Sequence, residues 1–417
     1  MNPPTQPPVA PVHPAEKARL LVMASTYPRW PNDPEPAFVH ELARRLCRDF
    51  DVYLLAPHSH GAQCDELLDG VRVHRFRYAP ARWQRLVSDG GIISNLRKRP
   101  WTALLVPGFL IALLWSTWRA VRRVRPQVIH AHWLIPQGLA VALLSLVQRM
   151  PPVLVTSHGA DLFALRGWPF ALLKRLVCRR AAALTVVSPV MVDELAQLGV
   201  PAEKTSVLPM GVDMQSRFTP NAGTPRSASE LLFVGRLVEK KGVRHLIEAL
   251  PAVLHRHPAA HLTIAGFGPD QPALVRQVAA IGLEHKVSFL GPVPQNQLAD
   301  LYRRAALFVA PFVRAADGDQ EGLGLVTLEA IACGCPAIVG DVPATRALDV
   351  LRVAPGNAQA LATRIADYLD MPADARAALA TRQRASVQAF DWQHVASGYA
   401  SLLERLSNPH QRSTGEH

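Results

Sequence analysis

Short apolar runs alternate with longer helix-like segments along almost the whole of the 417 residues, in two series separated by one polar stretch. In the first series, residues 19–25, 52–56, 71–76, 128–130, 153–156, 184–187 and 205–208 read as strands. Between most of them lie helices, such as 38–49 with its apolar stripe Phe38, Leu42 and Leu46. The series breaks at 211–229, which is polar and contains Pro220, Gly223 and Pro225, and which reads as a linker. It resumes with strands at 231–235, 261–265, 287–290, 307–311 and 337–339. Apolar strands alternating with helices mean parallel sheet covered on both faces. A chain of this length is also too long for one ordinary core. The expectation is an α/β protein of two doubly wound units of similar size. Ligands bind such sheets at the carboxyl ends of the strands, so two units facing each other enclose a cleft there.

The composition, 49% apolar and 19% charged, supplies ample core. The net charge of +12 implies an anionic partner: nucleic acid, a membrane surface or a phosphorylated substrate. No zinc-finger spacing, RNP-like aromatic motif or basic low-complexity tail is present, so nucleic acid is not expected. The arginines gather at 72–99 and 119–125, beside tryptophans and aliphatics, which suits a membrane surface; a dispersed solvated face is the plainer alternative. Residues 101–118 carry no charge and are followed by Arg119, Arg122, Arg123 and Arg125, which meets the lower bound for a spanning helix. Pro107 and Gly108 interrupt that run, and a strand follows at once. A span would place one sheet on two sides of a membrane, so a packed helix or a monotopic contact is the better reading. Cys47, Cys64, Cys178, Cys333 and Cys335 show no framework spacing and read as small thiols in a reducing compartment. Residues 1–17 read as a disordered proline-rich leader rather than a signal peptide, and 407–417 as a disordered tail.

Chemistry concentrates where strands end. Glu321-Gly322-Leu323-Gly324-Leu325 leads from a strand into a predicted helix that carries Glu329 two turns on. Glycines let the backbone approach a bound group, and free amides at a helix start favour an anion. Ionised carboxylates accept hydrogen bonds from hydroxyls. A phosphate-holding loop flanked by two carboxylates suits a sugar nucleotide, although the same residues serve as plain helix capping. At the start of the second unit, Arg236 and Lys241 lie in the turn after the strand that ends at Gly235. Two fixed cations there would neutralise a diphosphate leaving group. Gly266-Phe267-Gly268-Pro269 lacks the third glycine of a dinucleotide fingerprint and reads as a tight turn lining the nucleotide pocket. In the first unit, His158-Gly159 ends a strand and faces the cleft. His130 and His132, two apart on an extended segment, are expected to point to opposite sides, which argues against a metal site.

Together these residues resemble the retaining glycosyltransferases of family 4, the group 1 transferases with the GT-B fold. The resemblance rests on Glu321…Glu329 continued by Ala330-Ile331-Ala332-Cys333-Gly334-Cys335-Pro336. Gly235-Arg236-Leu237…Lys241-Gly242, Gly266…Pro269, His158-Gly159 and Pro209-Met210-Gly211-Val212-Asp213 also stand in the family's order. It implies an acceptor-side domain at 18–210, a linker at 211–229, a nucleotide-sugar domain at 230–390 and a final helix at 391–406 packing back on the first domain. It further implies that Arg236 and Lys241 hold the diphosphate and that Glu329 binds the ribose. Glu321 and the amides of Gly322, Leu323, Gly324 and Leu325 would hold sugar and phosphates, with Gly266 and Gly268 lining the donor site. His158 reaches the donor sugar, and the anomeric configuration is kept without a metal or other cofactor. The leaving phosphate helps to deprotonate the acceptor. The implied protein is a cytoplasmic hexosyltransferase, peripheral on the inner membrane surface. It would act on a lipid-linked saccharide or envelope glycan with a UDP- or GDP-sugar as donor. Rival readings are a soluble transferase with a small-molecule acceptor, a sugar-nucleotide epimerase of the same fold, and a non-catalytic sugar-nucleotide-binding subunit. One departure stands out. The glycine-rich loop of many members is replaced at 25–34 by Ser-Thr-Tyr-Pro-Arg-Trp-Pro-Asn-Asp-Pro.

Overall fold

The computed structural model describes residues 17–30, 33, 37–87, 91–163, 165, 167–221 and 223–408. Most of the expected leader and tail, and positions 31, 32 and 34 of the first loop, lie outside the described residues.

The first sheet contains β1 (Ala18–Met23), β2 (Phe50–Pro57), β3 (Asp65–Leu68), β4 (Val71–Phe76), β5 (Val128–His132), β6 (Val153–Ser157), β7 (Ala183–Val186) and β8 (Thr205–Val207). Among the described residues its order is β3-β4-β2-β1-β5-β6-β7-β8, parallel except for the β3/β4 pair. The second sheet contains β9 (Glu230–Val234), β10 (His261–Ala265), β11 (Val287–Gly291), β12 (Leu307–Ala310), β13 (Ala337–Gly340) and β14 (Leu351–Val353), in the order β11-β10-β9-β12-β13-β14, all parallel. In each sheet the first strand sits inside, and the chain builds outward from it in both directions. That reversal opens a crevice at the carboxyl ends of β1/β5 and of β9/β12, the usual ligand site of doubly wound sheets. Strands β3 and β14 were missed in the sequence. The first is a charged four-residue edge and the second has three residues, so neither carries an apolar run.

The run at 101–118 lies in one continuous element, a 3-10 turn at Pro100–Leu104 followed by the helix Leu105–Val124. Pro107 does not break it, because proline is tolerated in the first turn, where its missing N–H has no partner to lose. Gly108 lets the helix approach the backbone of Tyr78, whose carbonyl would lie 3.2 Å from an added Cβ. Leu105, Phe109, Leu113 and Thr117 form the buried stripe, with Phe109 against Phe76 and Tyr78. The element is long and apolar enough to cross a membrane. Yet it joins β4 to β5 within one sheet, and its inner stripe packs there. Its opposite face is exposed, at Ile111 (68%) and Trp115 (59%) among others.

The stretch expected as a plain polar linker is a packed strap. Met210, Val212, Met214 and Phe218 are buried, and Arg226 donates to the carbonyls of Tyr302 (3.0 Å) and Ala305 (2.6 Å). The last helix, Trp392–Ser407, returns to the first sheet. Tyr399 donates to the Leu208 carbonyl at 2.8 Å and stacks on His130. Trp392 is buried beneath the Arg45 guanidinium and against Gly211, where an added Cβ would lie 2.5 Å from the indole. Truncating this anchor removes a large buried ring and leaves a cavity. Trp392→Ala is therefore expected to cost about 3–5 kcal/mol, read as a lower urea midpoint with an unchanged slope. A midpoint within error of the parent would show that the returning helix is not anchored by this ring.

Candidate active site

The turn after β9 and the turn after β10 are joined backbone to backbone. Leu237 N–H donates to the Phe267 carbonyl at 2.9 Å. A Cβ on Gly266 would lie 1.9 Å from the Gly235 carbonyl oxygen, and one on Gly268 would lie 2.2 Å from that of Leu237. Only glycine fits at either position, so Gly266 and Gly268 brace the turn that carries Arg236 and Lys241. Gly242, at φ +69°, fits under Pro311 in the same way, where a Cβ would come within 1.9 Å of the carbonyl oxygen. Arg236 is half-buried in this turn.

Lys241 reaches across to Glu321, Nζ to Oε2 2.7 Å, with both side chains more than four-fifths buried. Its ammonium also lies 4.9 Å from the Phe312 ring centroid. Burial alone would push the Glu321 carboxyl up. The charges of Lys241 and Lys240, with hydrogen bonds from Lys241 and the Gly324 amide, outweigh burial and hold it down at about 2. Lys240 is itself held by Asp319 (3.2 Å) and the Gln320 carbonyl (3.2 Å). Gly324, at φ +73°, caps the helix Leu325–Ala332 in the left-handed conformation, where a side chain would be strained. Leu323 is buried and Leu325 half-buried. Further along this helix, Glu329 is buried and accepts a hydrogen bond from Tyr302 Oη at 2.9 Å. Burial raises its carboxyl to about 7, against the lowering effects of Tyr302, Arg217 and Lys241.

The first domain meets this loop directly. A Cβ on Gly322 would lie 2.8 Å from the His158 carbonyl oxygen, and one on Gly159 would lie 3.3 Å from the Gly322 Cα. His158 thus stands at the domain boundary opposite the loop of Glu321 and Lys241, and Glu329 lies further along the helix that this loop starts. His158 packs against Phe38, Trp133 and His132, and burial followed by the neighbouring His130 lowers its pKa to about 3, so the imidazole is neutral. His132 and His158 share a hydrogen bond, Nδ1 to Nε2 2.9 Å.

The expectation that His130 and His132 face opposite sides is wrong. Their ring centroids are 4.1 Å apart, because residues two apart on a strand share a face. Both belong to a buried ladder, in which His130 meets Thr156 at 2.7 Å and Thr156 meets Thr185 at 2.6 Å. Among the described residues no group of three or more His, Cys, Asp or Glu side chains is placed to hold a metal ion.

Sequence reasoning also missed several groups. Tyr302 is paired with Glu329, and Arg217 binds Gln295 at 2.9 Å and Glu41 at 3.5 Å, bridging the two domains. Among the described residues the buried hydroxyls of Thr327 and Ser188 have no hydrogen-bond partner; they lie beside Gly324 and just after β7. None of these carries a local pattern; each matters only through a neighbour distant in sequence.

Comparison with known proteins matches residues 228–371 to the glycosyl transferases group 1 and residues 36–211 to a glycosyl transferase 4-like domain. The chain is 31% identical over 408 residues to the glycogen synthase of Mycobacterium tuberculosis, covering 92% of this chain and 94% of that one. It is 31% identical over 230 residues to the amylovoran biosynthesis glycosyltransferase AmsK of Erwinia amylovora, covering 54% and 56%. Its fold is that of Anabaena Alr3699/HepE, solved with UDP and glucose, at a TM-score of 0.66 and 18% identity over 93% of this chain and 99% of that one.

The raised Glu329 carboxyl gives a pH signature. Its ordinary value is 4.5 and its folded value about 7, so between these only the folded state keeps the proton. Stability should therefore fall as pH rises through that window, by about 3 kcal/mol in the unliganded protein. Glu321, held near 2, titrates below the window. Glu329→Gln is expected to remove the decline in urea unfolding between pH 5 and pH 8. A decline equal to the parent's would show that another group carries it.

Proposed function

The chain belongs to the group 1 glycosyltransferases, and we propose that within them it moves a hexose from a UDP- or GDP-sugar to a lipid-linked saccharide or envelope glycan, retaining the anomeric configuration. One observation carries the reading: the Lys241–Glu321 ion pair at a helix start, facing His158 across the crevice. A nucleotide diphosphate entering there exchanges partners with this pair. Lys241 turns to the phosphates beside Arg236 and the amides of Gly322 to Leu325, and the freed Glu321 carboxylate accepts from sugar hydroxyls. Glu329 takes the ribose hydroxyls. As the bond from C1 to the diphosphate oxygen breaks, the acceptor oxygen bonds to C1 on the same face, and its proton passes to the leaving phosphate. The growing negative charge meets fixed cations and amides, so the reaction proceeds without a metal. His158, neutral, donates to or accepts from the sugar.

The donor reading is supported by HepE, whose structure holds UDP and glucose, and the glycan reading by AmsK, named for amylovoran biosynthesis. The basic, tryptophan-bearing face of the first domain supports peripheral attachment to the cytoplasmic side of a membrane. The similarity to a glycogen synthase along nearly the whole chain favours a second reading, elongation of a soluble glucan.

A thermal-shift screen of UDP, GDP, ADP and their sugars identifies the donor, since a ligand bound only by the native state raises the melting point. Lys241→Ala and Arg236→Ala are expected to weaken that shift and to lower kcat/KM more than about tenfold, 1.4 kcal/mol. His158→Ala should keep the shift and lose turnover. A rate within about threefold of the parent in Lys241→Ala, under 1 kcal/mol, would end the diphosphate assignment. Co-sedimentation with anionic vesicles that disappears in high salt separates the membrane reading from the soluble one.

A further inference from the structure

A second cavity lies at the opposite end of the first sheet. Gln127, Pro152 and Ala182, each just before β5, β6 or β7, line it together with residues of the helices Leu105–Val124, Leu139–Leu144 and Trp168–Arg180. Its volume is about 970 Å³, within the usual range for ligand sites. The arginine rim stands at the amino ends of these strands, and the floor reaches Val155 in the middle of β6, two residues at ~3.3 Å each, about 7 Å, short of the carboxyl end where the crevice lies. A phosphate held at the rim is therefore a whole strand away from the crevice.

The lining has an apolar floor and a charged rim, with Gln127, Ser145, Gln148 and Ser407 as its uncharged polar side chains. Val141, Ala142, Val153, Val155 and Val177 make a buried apolar floor, with Met150 beside them. Arg125, Arg149 and Arg180 stand at the rim, all exposed, and among the described residues none forms an ion pair with a carboxylate. Arg180 Nη1 makes one long contact, 3.4 Å, to the Ser145 carbonyl. Among the described residues no acidic and no aromatic side chain lines the cavity. An arginine rim selects phosphate. The floor excludes a bare phosphate as the best occupant, since it offers apolar surface with nothing polar to meet. The missing aromatic ring leaves a nucleobase without a stacking partner.

The surroundings fit the same occupant. Residues 90–192 contain a single acidic side chain, Asp161, which is buried at the other end of the sheet. Leu146 and Val147, next to the cavity, are 53% and 80% exposed. Two of the three helices that wall it carry exposed Ile111 and Trp115 on one side and Trp168 (76%) and Leu172 (53%) on the other. On Leu105–Val124, Trp115 stacks on Trp118, and Arg122 lies over Trp118. Tryptophan with arginine at the edge of an apolar face is the composition of a membrane interface.

We infer that this cavity binds one anionic phospholipid, its phosphate between Arg125, Arg149 and Arg180 and the start of an acyl chain along the valine floor. It is an anchoring site on the face of the first domain, distinct from the donor and acceptor sites. The inference deepens the membrane part of the function proposed above and rests on it.

The test uses the full chain and a short-chain phosphatidylglycerol kept below its micelle concentration, titrated by calorimetry. Saturable binding is expected. It should weaken at least tenfold in the double variant Arg149→Ala/Arg180→Ala and stay within twofold in Arg122→Ala/Arg123→Ala, which removes equal charge from the last turn of Leu105–Val124, beside the cavity but outside its lining. Inorganic phosphate should bind at least tenfold more weakly than the lipid. No lipid binding, an equal loss in both double variants, or phosphate binding as tight as lipid would each overturn the site. Vesicle co-sedimentation of the same proteins separates the two levels of the idea. Vesicle binding without short-chain lipid binding removes the cavity and leaves the membrane face, whereas failure of both removes both. The nucleotide thermal shift reports on the crevice independently of either result.

Discussion

A carboxylate buried at the start of a helix has to be neutralised, and the second domain is arranged around the answer. Lys241 meets Glu321 at 2.7 Å with little solvent between. To reach it, Lys241 must come from a turn held at one height over the sheet, which Gly266 and Gly268 secure by letting two backbones touch. The same pairing leaves a cation, a carboxylate and a row of amides concentrated at one helix start. Such an arrangement can be re-partnered by a ligand that brings both phosphate and hydroxyls, the phosphate meeting the cation and the hydroxyls donating to the carboxylate. Breaking the pair without a ligand leaves a buried charge unmet, which is costly.

The first domain closes this site through backbone contact rather than side-chain chemistry. Gly159 and Gly322 have no Cβ, so the His158 loop can lie against the helix start that follows Glu321. Behind them, Glu41, Arg44, Arg45, Asp213 and Arg217 form a charged cluster where the strap between domains leaves the first sheet. The returning helix Trp392–Ser407 covers that cluster, with Arg45 over the Trp392 ring. Domain spacing at the crevice thus depends on contacts made at the strap, one of which, Arg217, also acts on Glu329.

The first sheet has two working ends. Its carboxyl end carries the histidine ladder and His158. Its amino end carries the arginine-rimmed cavity and a face low in acidic residues. The separation has a simple origin: every strand of this sheet but β3 points the same way, so the loops after the strands gather at one end and those before them at the other.

Much of the fold was legible because short apolar runs of three to seven residues between amphipathic segments are local signals. Twelve of the strands follow from them, as does the loop Glu321–Leu325 before a helix carrying Glu329. Strands β3 and β14 escaped, being too polar or too short to show a run. The family motifs named Lys241, Glu321, Glu329 and His158 individually. Only the folded chain decided what each one touches. The Lys241–Glu321 pair joins residues 80 apart, Tyr302 reaches Glu329 across 27 positions, and His132 meets His158 across 26. Of the arginines of the amino-end cavity, Arg180 ends a helix and Arg125 and Arg149 lie in the connections after two others, and the sheet order brings them together. Periodicity reports which way a side chain faces; which partner stands opposite depends on the order and spacing of strands, a property of the whole chain.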